Sequence, residues 1–156
     1  MRNARHSIRW RALASLGTRG EALVEQRLLG FDLHYEKRKV SLLSEIYFIQ
    51  NDAAPGIGDG RTHNSLAWFT QLGYQINDRW RFTYRYEDLN FDHNDAYYMN
   101  SRLIGREKIG TQNRHVFALR CDFSESNALM LETSVSDTEL AGSTTTTLLT
   151  WAFVMY

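Results

Sequence analysis

The feature that most constrains this chain is the alternation in "NDRWRFTYRYE", residues 77–87, where aromatic and charged side chains trade places at each step. Successive side chains of an extended strand point to opposite faces. Trp80, Phe82, Tyr84 and Tyr86 therefore share one face, and Arg81, Thr83, Arg85 and Glu87 share the other. Which of these faces meets water decides the class of protein.

The same period of two recurs along the chain. "SIRWRALASL" (7–16) sets Ile8, Trp10 and Leu16 against Arg9 and Arg11. "LLGFDLHYE" (28–36) sets Leu29, Phe31, Leu33 and Tyr35 against Gly30, Asp32, His34 and Glu36. "KVSLLSEIYFI" (39–49) sets Val40, Leu42, Ile46 and Phe48 against Ser41, Glu45 and Tyr47. "SLAWFTQLGYQI" (65–76) sets Leu66, Trp68, Leu72, Tyr74 and Ile76 against Ala67, Gln71, Gly73 and Gln75. "RHVFALRCDF" (114–123) sets His115, Phe117, Leu119, Cys121 and Phe123 against Arg120 and Asp122. "ALMLETSVS" (128–136) sets Leu129, Leu131 and Val135 against Met130, Glu132 and Ser134. The last segment, "TTTTLLTWAFVMY" (144–156), is apolar on both faces. With the opening stretch this predicts eight strands of about the 9–11 residues that a tilted membrane-crossing strand needs. No comparable helical stripe appears, although "SRLIGREKIG" (101–110) has room for a turn or two of helix.

The connections alternate too. "EKRK", "NDR" and "SESN" read as tight polar turns, while longer links fall at 17–24, 51–63, 90–113 and 137–143. Long and short links then lie at opposite ends of the sheet, the habit of outer-membrane barrels. The expected architecture is all-β, a single domain over 1–156 forming an antiparallel up-and-down transmembrane β-barrel of about eight strands, or the C-terminal part of a larger one.

Composition removes several other classes. The 156 residues carry 18 basic and 18 acidic side chains, so nothing in the net charge suggests nucleic acid as a partner. A single cysteine, Cys121, forms no intramolecular disulfide and no cysteine metal site. No apolar run approaches the ~18 residues of a spanning helix. The first residues are basic, but Arg9 and Arg11 break up the apolar stretch behind them, so no secretory signal is read and the chain looks truncated at its start.

Two things favour the ring-bearing face as the one in lipid. Tyr35, Tyr74, Trp80, Phe123 and Tyr156 lie toward the short turns, and Phe48, Trp68 and Tyr86 toward the long links, as interfacial aromatic girdles do. An arginine at the lipid midplane costs roughly 2–4 kcal/mol on a barrel wall, so Arg81, Arg85 and Arg120 belong inside. The inward set is then Arg9, Arg11, Asp32, Glu45, Arg81, Arg85, Glu87, Arg120, Asp122 and Glu132. A solvated charged face on a soluble β-protein is the competing account.

The stretches "AWFTQLGYQINDRWRFTYRYEDLNFD" and "RHVFALRCDFSESNALMLETSVSD" resemble the closing strands of Gram-negative outer-membrane porin-like barrels, phosphate-selective porin-type families and their relatives. The likeness runs from about Gln26 to the C-terminus. It implies an outer-membrane location, lipid and the barrel-assembly machinery (through the last strand) as partners, and passage of small hydrophilic solutes. A homo-oligomer fits this picture. Such families carry a signal peptide and more strands, and Thr150 and Ala152 stand where bulkier outward residues are expected.

The expected function is passive diffusion of small solutes or ions, leaning toward anions, with no enzyme activity and no cofactor. Against it stand a closed eight-stranded barrel, whose interior side chains fill it, with a structural or adhesive role, and a soluble barrel holding an apolar ligand. "DHNDAYY" (92–98) offers oxygen ligands for calcium but also ordinary turn residues. "GIGDGRT" (56–62) precedes a strand rather than a helix and reads as an exposed loop. His115 has Ser65 and Ser101 as the only serines to consider beside it, and reads as an interface residue; Cys121 reads as packing.

Overall fold

A computed structural model describes residues 7–19, 24–53, 59–95, 98, 111–124, 126–139 and 142–153. The strands are β1 (Ser7–Arg19), β2 (Val24–Lys37), β3 (Val40–Ala53), β4 (Thr62–Gln75), β5 (Trp80–Asn90), β6 (Gln112–Ser124), β7 (Asn127–Thr138) and β8 (Gly142–Phe153). They form one antiparallel sheet in chain order, each strand paired with the next. The all-β up-and-down expectation is met. Closure is not: β1 and β8 are the two edges of an open sheet.

The short links are pinned locally. At the β2–β3 turn Arg38 takes a positive φ of 54°, the left-handed backbone that tight hairpins require. At the β4–β5 turn the Asn77 side-chain oxygen accepts from the backbone N–H groups of Arg79 and Trp80. Ile76 N–H donates to the Trp80 carbonyl across the same turn. Asparagine closing a turn onto the backbone two residues ahead is a mechanism legible in the sequence.

At the other end the strands run further than apolar alternation suggests. β2 starts at Val24, β3 reaches Ala53, β4 starts at Thr62 and β7 reaches Thr138. The expected links 17–24, 51–63, 90–113 and 137–143 are correspondingly shorter. Main-chain pairing needs no apolar side chain, so the ladder continues through polar rows such as Gln50–Asn64. Trp68 and Tyr86 consequently sit well inside their strands rather than at the ends. The segment 101–110 lies outside the described residues.

Register assigns the two faces. Phe31 pairs with Ile46, Ile46 with Trp68, Leu72 with Tyr84, Tyr84 with Phe117, and Leu131 with Leu149, so these and most other rings and aliphatics of β2 to β8 share one face, opposite Leu43, Tyr47, Ile49, Phe69 and Leu89. The shared face stands exposed: Phe48, Leu72, Phe82, Phe117, Phe123, Leu131 and Trp151 all do, the last two-thirds and more. The rings meet only sideways, as in Trp68–Tyr86 at 5.2 Å and Tyr84–Phe117 at 5.1 Å. No second layer covers them among the described residues.

The opposite face carries the small and charged residues, yet it is the more enclosed. Val116 and Ser134 are each 3 % exposed, and Gly30 and Gly73 are buried. The Tyr47 ring lies so close over Gly30 that an added Cβ would fall 2.7 Å from two ring carbons. A sheet whose small-residue face is enclosed while its large-residue face is open must curl toward the small side. Residue size favours that sense of curvature, because glycine and serine on the inner side leave room for the strands to close on it.

One sequence reading reverses on β8. Leu149 and Trp151 fall on the ring-bearing face, opposite Leu131 and Leu129. Thr150 and Ala152, expected to face outward, pair with Met130 and Ala128 on the other face. A strand apolar on both sides gives no parity of its own, and its neighbour β7 supplies it.

Candidate functional site: the concave polar face

The concave face offers a trough rather than a closed pocket. Toward the short turns it opens into a hollow of about 960 Å³, bordered by His34, Ser41, Gln71, Gly73, Arg81 and Asp122. Toward the long links a second hollow of about 340 Å³ lies among Tyr47, Phe69, Glu87, Leu89 and Arg114. Glycine and serine make the floor: a Cβ on Gly73 would collide with the Ser41 hydroxyl.

The charges predicted for this face are largely brought together in pairs. Arg85 Nε stands 2.6 Å from Glu87 Oε1, and Arg120 donates from Nε to Asp122 Oδ1 at 2.8 Å. Each pair lies two residues apart on one strand, hence on one face. The Tyr47 hydroxyl donates to Glu45 at 2.6 Å. Glu132 lies 3.8 Å from Arg114, which also donates to the Ser134 hydroxyl. Asp32 is half-buried on the same face. Arg9 and Arg11 take His34 and Asp32 as register neighbours, Arg11 with Asp32 and Arg9 with His34, but their side chains lie outside the described residues.

Arg81 differs from the others. Its Nε donates to the Gln75 amide oxygen at 2.9 Å, a neutral partner, and across the strand it faces Arg120. Lys39 at the same mouth donates to the Ile76 carbonyl. Like charges directly opposite on a sheet repel; the short-turn mouth as a whole balances Arg38, Lys39 and Arg81 against Glu36, Asp78 and Asp122.

On the convex face, Phe48, Tyr74, Trp80 and Phe123 are exposed, while Tyr35, Trp68 and Tyr86 are half-buried between neighbours. Tyr156 lies outside the described residues. His115 is among the rings, with Nδ1 2.9 Å from the Tyr84 hydroxyl. Cys121 is buried, opposite Trp80 and Leu129 in register. Hydroxyls that face outward find each other: Ser44 reaches Thr70 at 3.0 Å and Thr133 reaches Thr147 at 3.3 Å. Above the apolar rows the same face becomes a polar ladder, where Arg27 meets Glu25, Gln50 and Asp52.

The long-link rim holds a cluster that alternation did not reveal. His63, 4 % exposed, places Nε2 2.8 Å from Asp59 Oδ1 and Nδ1 2.9 Å from Asp92 Oδ2. Beside it Asn51, 1 % exposed, accepts from Gln26 and donates to Asp95 Oδ2 at 2.7 Å. Phe91 and Tyr98 stack at 4.3 Å and are both buried. The hydrogen bond from His63, then the Arg61 N–H, lowers the Asp59 carboxyl below its ordinary range. The Asn94 N–H, then His63, does the same for Asp92. Burial works against a charge on His63, but hydrogen bonds to Asp92 and Asp59 and their negative charge outweigh it and raise its pKa.

These contacts also bear on the calcium reading of 92–98. Asp92 Oδ1 accepts from Asn94, Asp92 Oδ2 meets His63, and Asp95 meets Asn51, so the oxygens are turned to internal partners. Among the described residues no group of His, Cys, Asp and Glu is arranged to hold a metal. Two features of the concave face escaped sequence reading for different reasons. Arg114 has the same parity as Arg120 and parity alone finds it; the His63–Asp92 and Asn51–Asp95 contacts join residues 29 and 44 positions apart and have no local signal.

The chain matches no known protein-family model, no curated protein and no solved structure.

Proposed function

We propose that this sheet is the wall of an outer-membrane β-barrel of a Gram-negative bacterium, and that its concave face lines a path for small hydrophilic solutes. The observation that carries the reading is the orientation of the faces. Most of the large apolar side chains of β2 to β8 are on the open convex side, and below the rim ladder the charges line the enclosed side. A soluble barrel that binds an apolar ligand needs the reverse. The convex apolar rows are bounded by the Arg27–Asp52–Gln50 ladder on one side and the turns on the other, as a hydrocarbon belt would be.

Lipid demands one more step. Unsatisfied backbone groups in hydrocarbon cost several kcal/mol each, so β1 and β8 must be paired in the working protein, with one another or with further strands. Passage is diffusive: the paired charges Arg85–Glu87 and Arg120–Asp122 are neutral overall, and the anion preference rests on Arg81, which donates to the neutral Gln75 amide rather than to a carboxylate. Single-channel recording on refolded protein in planar bilayers tests this. The expected result is a conductance with anion preference that Arg81→Ser reduces; a sealed, non-conducting barrel refutes the pore.

A further inference from the structure

We propose that the segment Phe91–Asp95, with Tyr98, is a lid folded inward over the polar face at the long-link rim, and that the Asp59–His63–Asp92 contact is its clasp, closed while His63 carries a proton and loosened when it does not. The placement comes first. His63 and Asn51 pair with each other in register and share the concave face with Ser65 and Tyr47. Asp92 and Asp95, which come after β5, reach back to these two residues of β3 and β4. Phe91 continues the parity of Glu87 and Leu89, which border the smaller hollow, and is 3 % exposed. The segment therefore lies across the inner side of the sheet, above that hollow.

The clasp has a chemical requirement. Both ring nitrogens of His63 face carboxylate oxygens, one from the link before β4 and one from the link after β5. An imidazolium donates to both. A neutral imidazole has one N–H, so its other nitrogen turns a lone pair toward a carboxylate and that contact is lost. The charged groups around the ring are Asp59 and Arg61 on its own link and Asp92 and Asp95 from the lid, while Asp52 at the end of β3 is on the convex face, where its carboxylate takes the Thr62 hydroxyl. His93 is turned away toward Glu139. Three carboxylates and one arginine leave a negative surrounding that favours the protonated ring.

The pH window comes from the directions of the shifts. The raised His63 contributes fully below its ordinary value of about 6.5 and its contribution disappears as pH rises through the higher folded value. The lowered Asp59 and Asp92 contribute above their ordinary range and are lost only as pH falls through their lower folded values. The clasp is thus closed in mildly acidic to neutral medium and loosens on the alkaline side first.

Hydrogen–deuterium exchange of the full refolded chain, corrected for intrinsic rates and monitored from mildly acidic to alkaline pH, tests the clasp without reference to conduction. The Asp95 and Tyr98 amides, which donate to the Asp92 and Asp95 carbonyls, report the lid. Their protection should drop about tenfold as pH rises through the His63 titration, the scale of one charge-assisted hydrogen bond. His63→Gln should give low protection with no pH step, and Asp92→Asn should move the step to lower pH. His93→Gln should keep the wild-type profile, and a step that tracks His93 instead overturns the proposal. So does a flat wild-type profile. The consequence for solute passage rests on the pore reading: a lid that responds to pH in a non-conducting protein ends the pore and leaves the clasp standing.

Discussion

The two faces of this sheet are built from the same strands and the same hydrogen bonds, yet they solve opposite problems. The convex face presents Leu72, Phe82, Phe117 and Trp151 with no partner layer among the described residues, where its rings touch their lateral neighbours. The concave face pairs Arg85 with Glu87 and Arg120 with Asp122, and it packs tyrosine onto glycine and serine against glycine. Burial elsewhere tracks polarity; here it runs against it. The difference teaches that water suits the convex side poorly, because a sheet in water would gain by turning those rings inward at roughly 25 cal/mol per Å² of apolar surface.

The largest expected effect comes from placing a charge on each face in turn. Leu131→Arg puts a guanidinium among exposed apolar neighbours on the convex side. In lipid vesicles it should cost about 2–4 kcal/mol, read as a shift of the urea midpoint, while Thr146→Arg on the concave face of β8 should change stability by about 0.5 kcal/mol or less. Equal tolerance at both positions would erase the contrast between the faces. Gly30→Ala comes next. Its methyl would meet the Tyr47 ring at 2.7 Å, and about 1–3 kcal/mol of destabilisation is expected, most of it relieved in a Tyr47→Ala background. A full penalty without Tyr47 would place the strain elsewhere.

Smaller effects sharpen the account of the polar face. Arg85 and Glu87 are each about one-third exposed, so solvent screens their pairing. A double-mutant cycle with Arg85→Gln and Glu87→Gln should give a coupling of about 0.5–1 kcal/mol. The ladder above the apolar belt should matter least. Arg27 is more than half exposed, and Arg27→Ala should change unfolding by about 0.5 kcal/mol or less despite its contacts with Glu25 and Asp52.

Much of this was legible in the residues. Alternation in β4, β5 and β6 identified both faces and placed Arg81, Arg85, Glu87, Arg120 and Asp122 together, since period two survives whatever the sheet does next. The turn at Asn77 was readable because its capping contacts reach only two and three residues ahead. Strand ends were less legible at the long-link rim, where pairing continues through Gln50, Asp52 and Asn64 without an apolar signal.

What the sequence by itself determined is local: the strands, their sidedness and the short turns, because each depends on neighbours within a few residues. Tertiary structure alone decided the rest. The parity of β8 and the meeting of His63 with Asp92 both depend on which strands lie side by side. Distance along the chain carries no trace of such contacts, since their energy appears only once the sheet has brought both partners to one rim.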